Sequence, residues 1–114
     1  FADWAGIRPY RDYLPYCVSK TGIVGLTKAL AKELAPKIQV NAIAPGPILP
    51  PPDMGAAARA KVAARVPLKR WGSPQDIVNT VLFLIEGTDF MTGYTSSVRF
   101  SLDASAAARW RHNR

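Results

Sequence analysis

Residues 16–46 read YCVSKTGIVGLTKALAKELAPKIQVNAIAPG, and this stretch changes period once. From about Leu14 to Leu34 the pattern is helical: Val18, Gly22, Gly25 and Ala29 fall three or four apart, and Ile23, Leu26, Leu30 and Leu34 make an apolar stripe. Pro36 ends the helix, because the residue before a proline avoids the helical region. IQVNAIA, residues 38–44, is short, β-branched and mostly apolar, as expected of a strand buried on both faces. Pro45 and Gly46 end that strand, and Pro50, Pro51 and Pro52 favour a stiff extended segment after it.

Upstream, Phe1–Trp4 reads as the end of a strand and Gly6–Tyr13 as a loop. Downstream, Ala56–Val66 is alanine-rich and helical. Ser73–Pro74–Gln75–Asp76 has the signature of a helix start, with Ser at the N-cap, Pro at the first position and an acid three residues after the cap. That helix runs through Ile77, Val78, Val81, Leu82, Leu84 and Ile85, with Gly87 as its stop. A last strand is expected over Thr95–Phe100. The order is that of an α/β protein, a doubly wound parallel sheet with helices on both faces. Ligands of such sheets sit beyond the carboxyl ends of the strands, which places Asp3 and the Pro45–Pro52 loop on one functional edge.

The 114 residues suffice for one domain, and 48% apolar with 20% charged residues suits a globular protein. No apolar run approaches the roughly 18 residues that cross a bilayer, so no membrane partner is expected. The single cysteine, Cys17, excludes an internal disulfide and a multi-cysteine zinc site, so no metal is expected and a reducing cytoplasm is the default location. The net charge is +7, but residues 99–114 hold four arginines and one acid and so supply +3 of it. The rest shows no Lys/Arg stripe, and nucleic acid is not an expected partner.

Tyr16 and Lys20 stand at i and i+4 and share one helix face. A free phenol has a pKa near 10 and catalyses poorly at neutral pH; a nearby ammonium favours the phenolate and lowers that value. A tyrosine tuned this way donates a proton to a developing alkoxide or takes one in reverse. On spacing alone the signal is weak, since Tyr-x3-Lys arises by chance in many proteins.

The wider context is more specific. The Tyr-x3-Lys helix, the strand ending Val40–Asn41–Ala42, Pro45–Gly46, then Arg70–Trp71–Gly72–Ser73–Pro74 and Thr92–Gly93 occur in fixed order. The chain resembles the C-terminal half of the short-chain dehydrogenase/reductase family over roughly residues 1–95. The resemblance implies Tyr16 as catalytic acid/base, and Lys20 as the group that holds the nicotinamide ribose hydroxyls and depresses the Tyr16 pKa. It implies that Pro45, Gly46 and Ile48 form the cofactor-binding loop against the nicotinamide carboxamide. Ser19 and Asn41 match positions with structural roles. In most of the family a serine stands thirteen residues before the tyrosine; here that position is Asp3. An aspartate there, with the neighbouring DWAGIRPYRDYLPY and APGPILPPPDM, resembles the pteridine reductase branch, where it helps protonate a ring nitrogen. The other reading of Asp3 is a cap on the segment leading to the helix.

No GxGxxG or TGxxxGxG occurs in the sequence, although a cofactor pyrophosphate needs backbone N–H groups at a helix N-terminus. The expectation is therefore the C-terminal part of a Rossmann-like sheet with its N-terminal cofactor half absent. Residues 1–98 are read as a partial domain and 99–114 as a divergent basic tail. By resemblance the activity is an NADP(H)-dependent reduction, with NAD(H) open, of a pterin or related heterocycle as small-molecule substrate. The alternatives are a general carbonyl or alcohol dehydrogenase, or an inactive truncated fragment. A homo-oligomer is implied for the full-length family fold, because the helix with Gly22, Gly25 and Ala29 packs across its dimer interface.

Overall fold

A computed structural model describes residues 1–98. The basic tail read over 99–114, and the last two residues of the strand expected over 95–100, lie outside the described residues. In chain order there are a 3-10 turn at Trp4–Gly6, α1 (Leu14–Leu34), β1 (Ala42–Pro45), α2 (Ala56–Arg65), α3 (Pro74–Leu82) continuing into a π-helical turn at Phe83–Gly87, and β2 (Thr95–Val98).

β1 and β2 pair in parallel, Ala42 opposite Thr95 and Pro45 opposite Val98. Ala42 N–H donates to the Tyr94 carbonyl at 2.8 Å, toward β2, while the Ile43 carbonyl accepts from Ala2 N–H at 2.9 Å on the other side. Successive backbone groups of a strand point to opposite neighbours, so the first residues of the chain flank β1 on the edge away from β2.

Side chains alternate in the same way. Ala2, Ala42 and Ala44 form a buried cluster on one face, covered by Ile23 and Val24 of α1. Across the sheet, Ile43 shares a cavity of about 390 Å³ with Val81, Leu84 and Ile85 of α3 and the π-helical turn. Helices thus lie on both faces, the doubly wound arrangement the sequence predicts.

The strand expected over 38–44 is shorter and later. Residues 39–41 are held instead by side-chain bonds to the segment entering β2. Asn41 Nδ2 donates to the Met91 carbonyl (2.8 Å), and Asn41 Oδ1 accepts from Tyr94 N–H (3.1 Å). Val40 N–H donates to Thr92 Oγ1 (3.0 Å), and its carbonyl accepts from Gly93 N–H (2.7 Å). Gly93 takes φ +73°, a left-handed conformation that suits glycine. Asn41 is therefore a clamp, the structural role its position implied.

The bounds of α1 agree with the sequence reading, but its inward face does so only in part. The buried residues are Cys17, Thr27 and Ala31, with Ile23 and Val24 partly covered, whereas Val18 is 62% and Leu26 56% exposed. Of the stripe Ile23–Leu26–Leu30–Leu34, Ile23 and Leu34 are partly buried, while Leu26 and Leu30 are exposed. A sheet surface of alanines admits a close-lying helix, and small side chains at 17, 27 and 31 allow that approach. The Ser73 cap forms as expected, as a full capping box with Asp76.

Candidate active site

The direction of α1 determines where its first turns lie. Gly93, just before β2, lies against Ala31 near the end of α1, where a Cβ at Gly93 would be 3.3 Å from the Ala31 methyl. The helix therefore runs antiparallel to the strands, and Tyr16 and Lys20 in its opening turns stand at the strands' carboxyl end. Pro45, Gly46 and Ile48, all partly buried, leave β1 at that same end.

The segment bearing Asp3 is latched to α1. Gly6 touches the helix backbone so closely that a Cβ there would be 2.6 Å from both the carbonyl carbon and oxygen of Lys20. Thr21 Oγ1 donates to the Gly6 carbonyl at 3.1 Å. Cys17 is buried and pins the loop, its sulfur accepting from Tyr10 N–H at 3.3 Å. Tyr10 and Tyr13 meet edge to face with centroids 6.5 Å apart.

This latch brings Asp3, Tyr16 and Lys20 together. Asp3 Oδ1 accepts from Ala5 N–H at 2.7 Å, capping the 3-10 turn, and the Asp3 carboxylate lies close enough to the Tyr16 hydroxyl to bear on its pKa. The capping reading of Asp3 is what its hydrogen bond shows. Lys20 Nζ stands over the Tyr16 ring, 5.6 Å from its centroid, a cation–π placement. Ser19 Oγ donates to the Tyr16 carbonyl at 2.9 Å, within the helix backbone.

The electrostatics correct one expectation. The Tyr16 pKa lies above its ordinary value of 10.0, first because the ring is partly withdrawn from water and then because the nearby Asp3 carboxylate favours the protonated phenol and repels the phenolate. Tyr16 remains 42% exposed, and Asp3 is the charged neighbour that adds to the effect of burial. The lowering expected from Lys20 is not found: its ammonium lies over the ring face, and the net shift is upward. The arrangement sets an acidic side chain near the hydroxyl of one exposed phenol and an ammonium over its ring.

Sequence reasoning missed Gly6, Thr21 and Gly72. Gly72 N–H donates to the Pro47 carbonyl at 2.9 Å and so ties the turn before α3 to the loop after β1. The glycines were visible, but only a fold shows what lies against them. Among the described residues no cluster of His, Cys, Asp and Glu could hold a metal, and no helix is long and apolar enough to cross a membrane.

Residues 3–99 match the family model described as enoyl-(acyl carrier protein) reductase. Among curated relatives, the 3-oxoacyl-[acyl-carrier-protein] reductase of Aquifex aeolicus is 45% identical over 84 residues, 68% of this chain and 33% of the relative. The enzyme of the same name from Staphylococcus epidermidis is 43% identical over 89 residues, 73% of this chain and 36% of the relative. A crystal structure of a variant of the actinorhodin polyketide ketoreductase with NADPH superposes with a TM-score of 0.76 at 32% identity, covering 85% of this chain and 43% of that one. The chain spans about a third of the length of these curated relatives. The relatives are ketoacyl reductases, and the pteridine reductase branch suggested by Asp3 and its neighbouring loops is not supported. An aspartate in place of one serine is a single-residue signal, outweighed by similarity across more than 80 positions.

Proposed function

This chain belongs to the short-chain dehydrogenase/reductase family, and from that premise we propose that it carries the proton-donor part of an NADPH-dependent ketoreductase acting on a 3-oxoacyl-type carbonyl. The observation that carries the proposal is the Asp3–Tyr16–Lys20 cluster at the carboxyl end of β1. The donor set fits the nicotinamide–ribose end of the cofactor: Lys20 offers an ammonium and Tyr16 a hydroxyl to ribose oxygens, and the Pro45–Ile48 backbone adjoins the carboxamide. Bound NADPH supplies a hydride to the carbonyl carbon.

The remaining steps fall to this chain. Tyr16 hydrogen-bonds the carbonyl oxygen and passes its proton to that oxygen as negative charge develops, so the product is an alcohol. An alkoxide is far more basic than a phenolate, so the transfer stays downhill even with the Tyr16 pKa raised. Lys20 offsets the negative charge left on the phenol. The Asp3 carboxylate cannot donate to the carbonyl as a serine would; it lies beside the Tyr16 hydroxyl, whose single hydrogen turns to the substrate oxygen for the transfer. On this reading Asp3, Tyr16 and Lys20 form the reacting group, and Pro45, Gly46 and Ile48 the cofactor loop.

The test joins this chain to the upstream Gly-rich half of the Aquifex relative and follows NADPH oxidation with a 3-oxoacyl thioester. Tyr16→Phe is expected to lower the rate by about 10²-fold or more; full rate in that variant sinks the assignment. A second reading, reduction of a pterin, is favoured by one observation: an acceptor-only carboxylate at position 3 matches an N–H donor on a heterocycle better than a ketone. A dihydropterin in the same assay separates the two. Self-association is part of the proposal, through the exposed α1 face with Val18, Gly22, Gly25 and Leu26; a monomer by sedimentation at every concentration would remove it.

A further inference from the structure

Ile48 and Gly72 touch in a way that neither the helix pattern nor the reacting cluster requires. A Cβ at Gly72 would lie 2.6 Å from Ile48 Cδ1, 3.5 Å from the Pro47 carbonyl oxygen and 3.6 Å from Asp76 Oδ2. Contacts between carbons settle near 3.5–4.0 Å, so the bare glycine is what lets the Ile48 side chain lie where it does. Its N–H meanwhile holds the Pro47 carbonyl.

The turn around Gly72 is strongly tied. Arg70 grips Asp76 through two bonds, Nη1 to Oδ2 at 3.0 Å and Nη2 to Oδ1 at 3.3 Å. Asp76 Oδ2 also accepts from the Ser73 N–H (2.8 Å) and hydroxyl (3.1 Å). Arg70 Nη1 donates to the Trp71 carbonyl (2.9 Å), and Trp71 Nε1 to the Arg59 carbonyl at the start of α2 (3.0 Å). Against this stands the free end of one isoleucine. A methyl group added at position 72 therefore displaces Ile48, not the turn.

We infer that Gly72 is a positioning residue for the cofactor loop: by lacking a side chain it seats Ile48 against the Arg70–Asp76 turn and thereby holds the Pro47–Ile48 backbone in register for the nicotinamide. The inference rests on the functional reading above, and it adds a residue well outside the loop to the machinery. The Asp76 carboxylate, bonded to Arg70 and Ser73, is the anchor of the device, and Gly72 is its contact point.

The test uses the chain itself, isotope-labelled on backbone amides and isoleucine δ1 methyls, titrated with reduced nicotinamide mononucleotide and followed by NMR. In the unaltered chain the amides of Gly46 and Ile48 shift on titration. Gly72→Ala displaces the Ile48 δ1 methyl resonance before any ligand is added and weakens binding about tenfold. Its melting temperature moves by no more than about 3 °C. Ile48→Val deletes the Cδ1 that clashes, so the double variant regains most of the lost affinity; a merely structural defect at Gly72 would not be cured this way. Gly72→Ala with unchanged affinity, a double variant without recovery, or a fall of about 10 °C or more in melting temperature overturns the inference and leaves the functional reading intact. No shift at Gly46 or Ile48 in the unaltered chain overturns that reading, and this inference with it.

Discussion

Gly6→Ala places one methyl group where the Asp3 turn crosses α1. The new Cβ would be 2.6 Å from the Lys20 carbonyl carbon and oxygen and 3.0 Å from the Thr21 nitrogen. All three are helix backbone atoms, which no rotamer change can clear. Restoring normal contact needs a retreat of about 1 Å. That retreat takes the Thr21 Oγ1 to Gly6 carbonyl bond, now 3.1 Å, beyond bonding range, a loss of about 1 kcal/mol. Forced expansion of a packed contact adds about 1–3 kcal/mol, so destabilisation of about 2–4 kcal/mol is expected. For a domain of this size, even the lower figure lowers the melting temperature by about 10 °C.

The same retreat draws Asp3 away from the Tyr16 hydroxyl, and the phenol pKa falls toward 10.0, since the carboxylate is one of the causes that raise it. Thermal unfolding by circular dichroism reads the first effect, and a pH titration of 13C-labelled tyrosine rings reads the second. Gly22→Ala on the same helix is the control. A Cβ there meets nothing within 4 Å in the single chain, so at concentrations where the chain is monomeric it should stabilise by about 0.5–1 kcal/mol through reduced backbone freedom in the unfolded chain. A Gly6→Ala chain that melts with the parent and keeps the parent's Tyr16 titration would refute the latch.

Three further outcomes follow from the same contacts. Asp3→Asn removes the negative charge at the phenol oxygen, so Tyr16 should titrate closer to 10.0 than in the parent; an unchanged or higher midpoint in the tyrosine titration contradicts the assigned cause. Asp76 is held well below the usual carboxylate range, at about 2, by its bonds to Arg70 and then to Ser73. A depressed folded-state pKa means that its stabilisation is present above the ordinary value of 3.8 and lost as pH falls through about 2. Asp76→Asn should therefore flatten the acid arm of the stability profile in that window, and an identical profile would remove the pair from the account. Asn41→Leu deletes two bonds, to the Met91 carbonyl and from Tyr94 N–H. A loss of about 2–3 kcal/mol in urea unfolding is expected, and under about 0.5 kcal/mol would show that the clamp is dispensable.

Much of this molecule is legible without coordinates, for local reasons. The limits of α1 follow from a 3.6-residue period closed by Pro36, and the start of α3 from a capping box whose partners are three residues apart. Tyr16 and Lys20 share a face because helical geometry puts i and i+4 together, and their order with Pro45–Gly46 and Arg70–Ser73 identified the family. None of these depends on a distant residue.

What the sequence could not determine involves groups far apart in the chain. Which face of α1 turns inward was decided by what it meets: Ile23 and Val24 pack on the alanine cluster, Cys17 meets the Tyr10 backbone and Ala31 lies by Gly93. Where β1 begins was decided by Asn41 and Thr92, which meet only once β2 is in place. The sign of the Tyr16 shift was decided by burial and by Asp3, thirteen residues upstream, on a segment that Gly6 lets lie against the helix backbone. Periodicity and capping are short-range and written in neighbouring residues; phase, register and electrostatic sign depend on what each side chain faces, and that exists only after the chain has closed on itself.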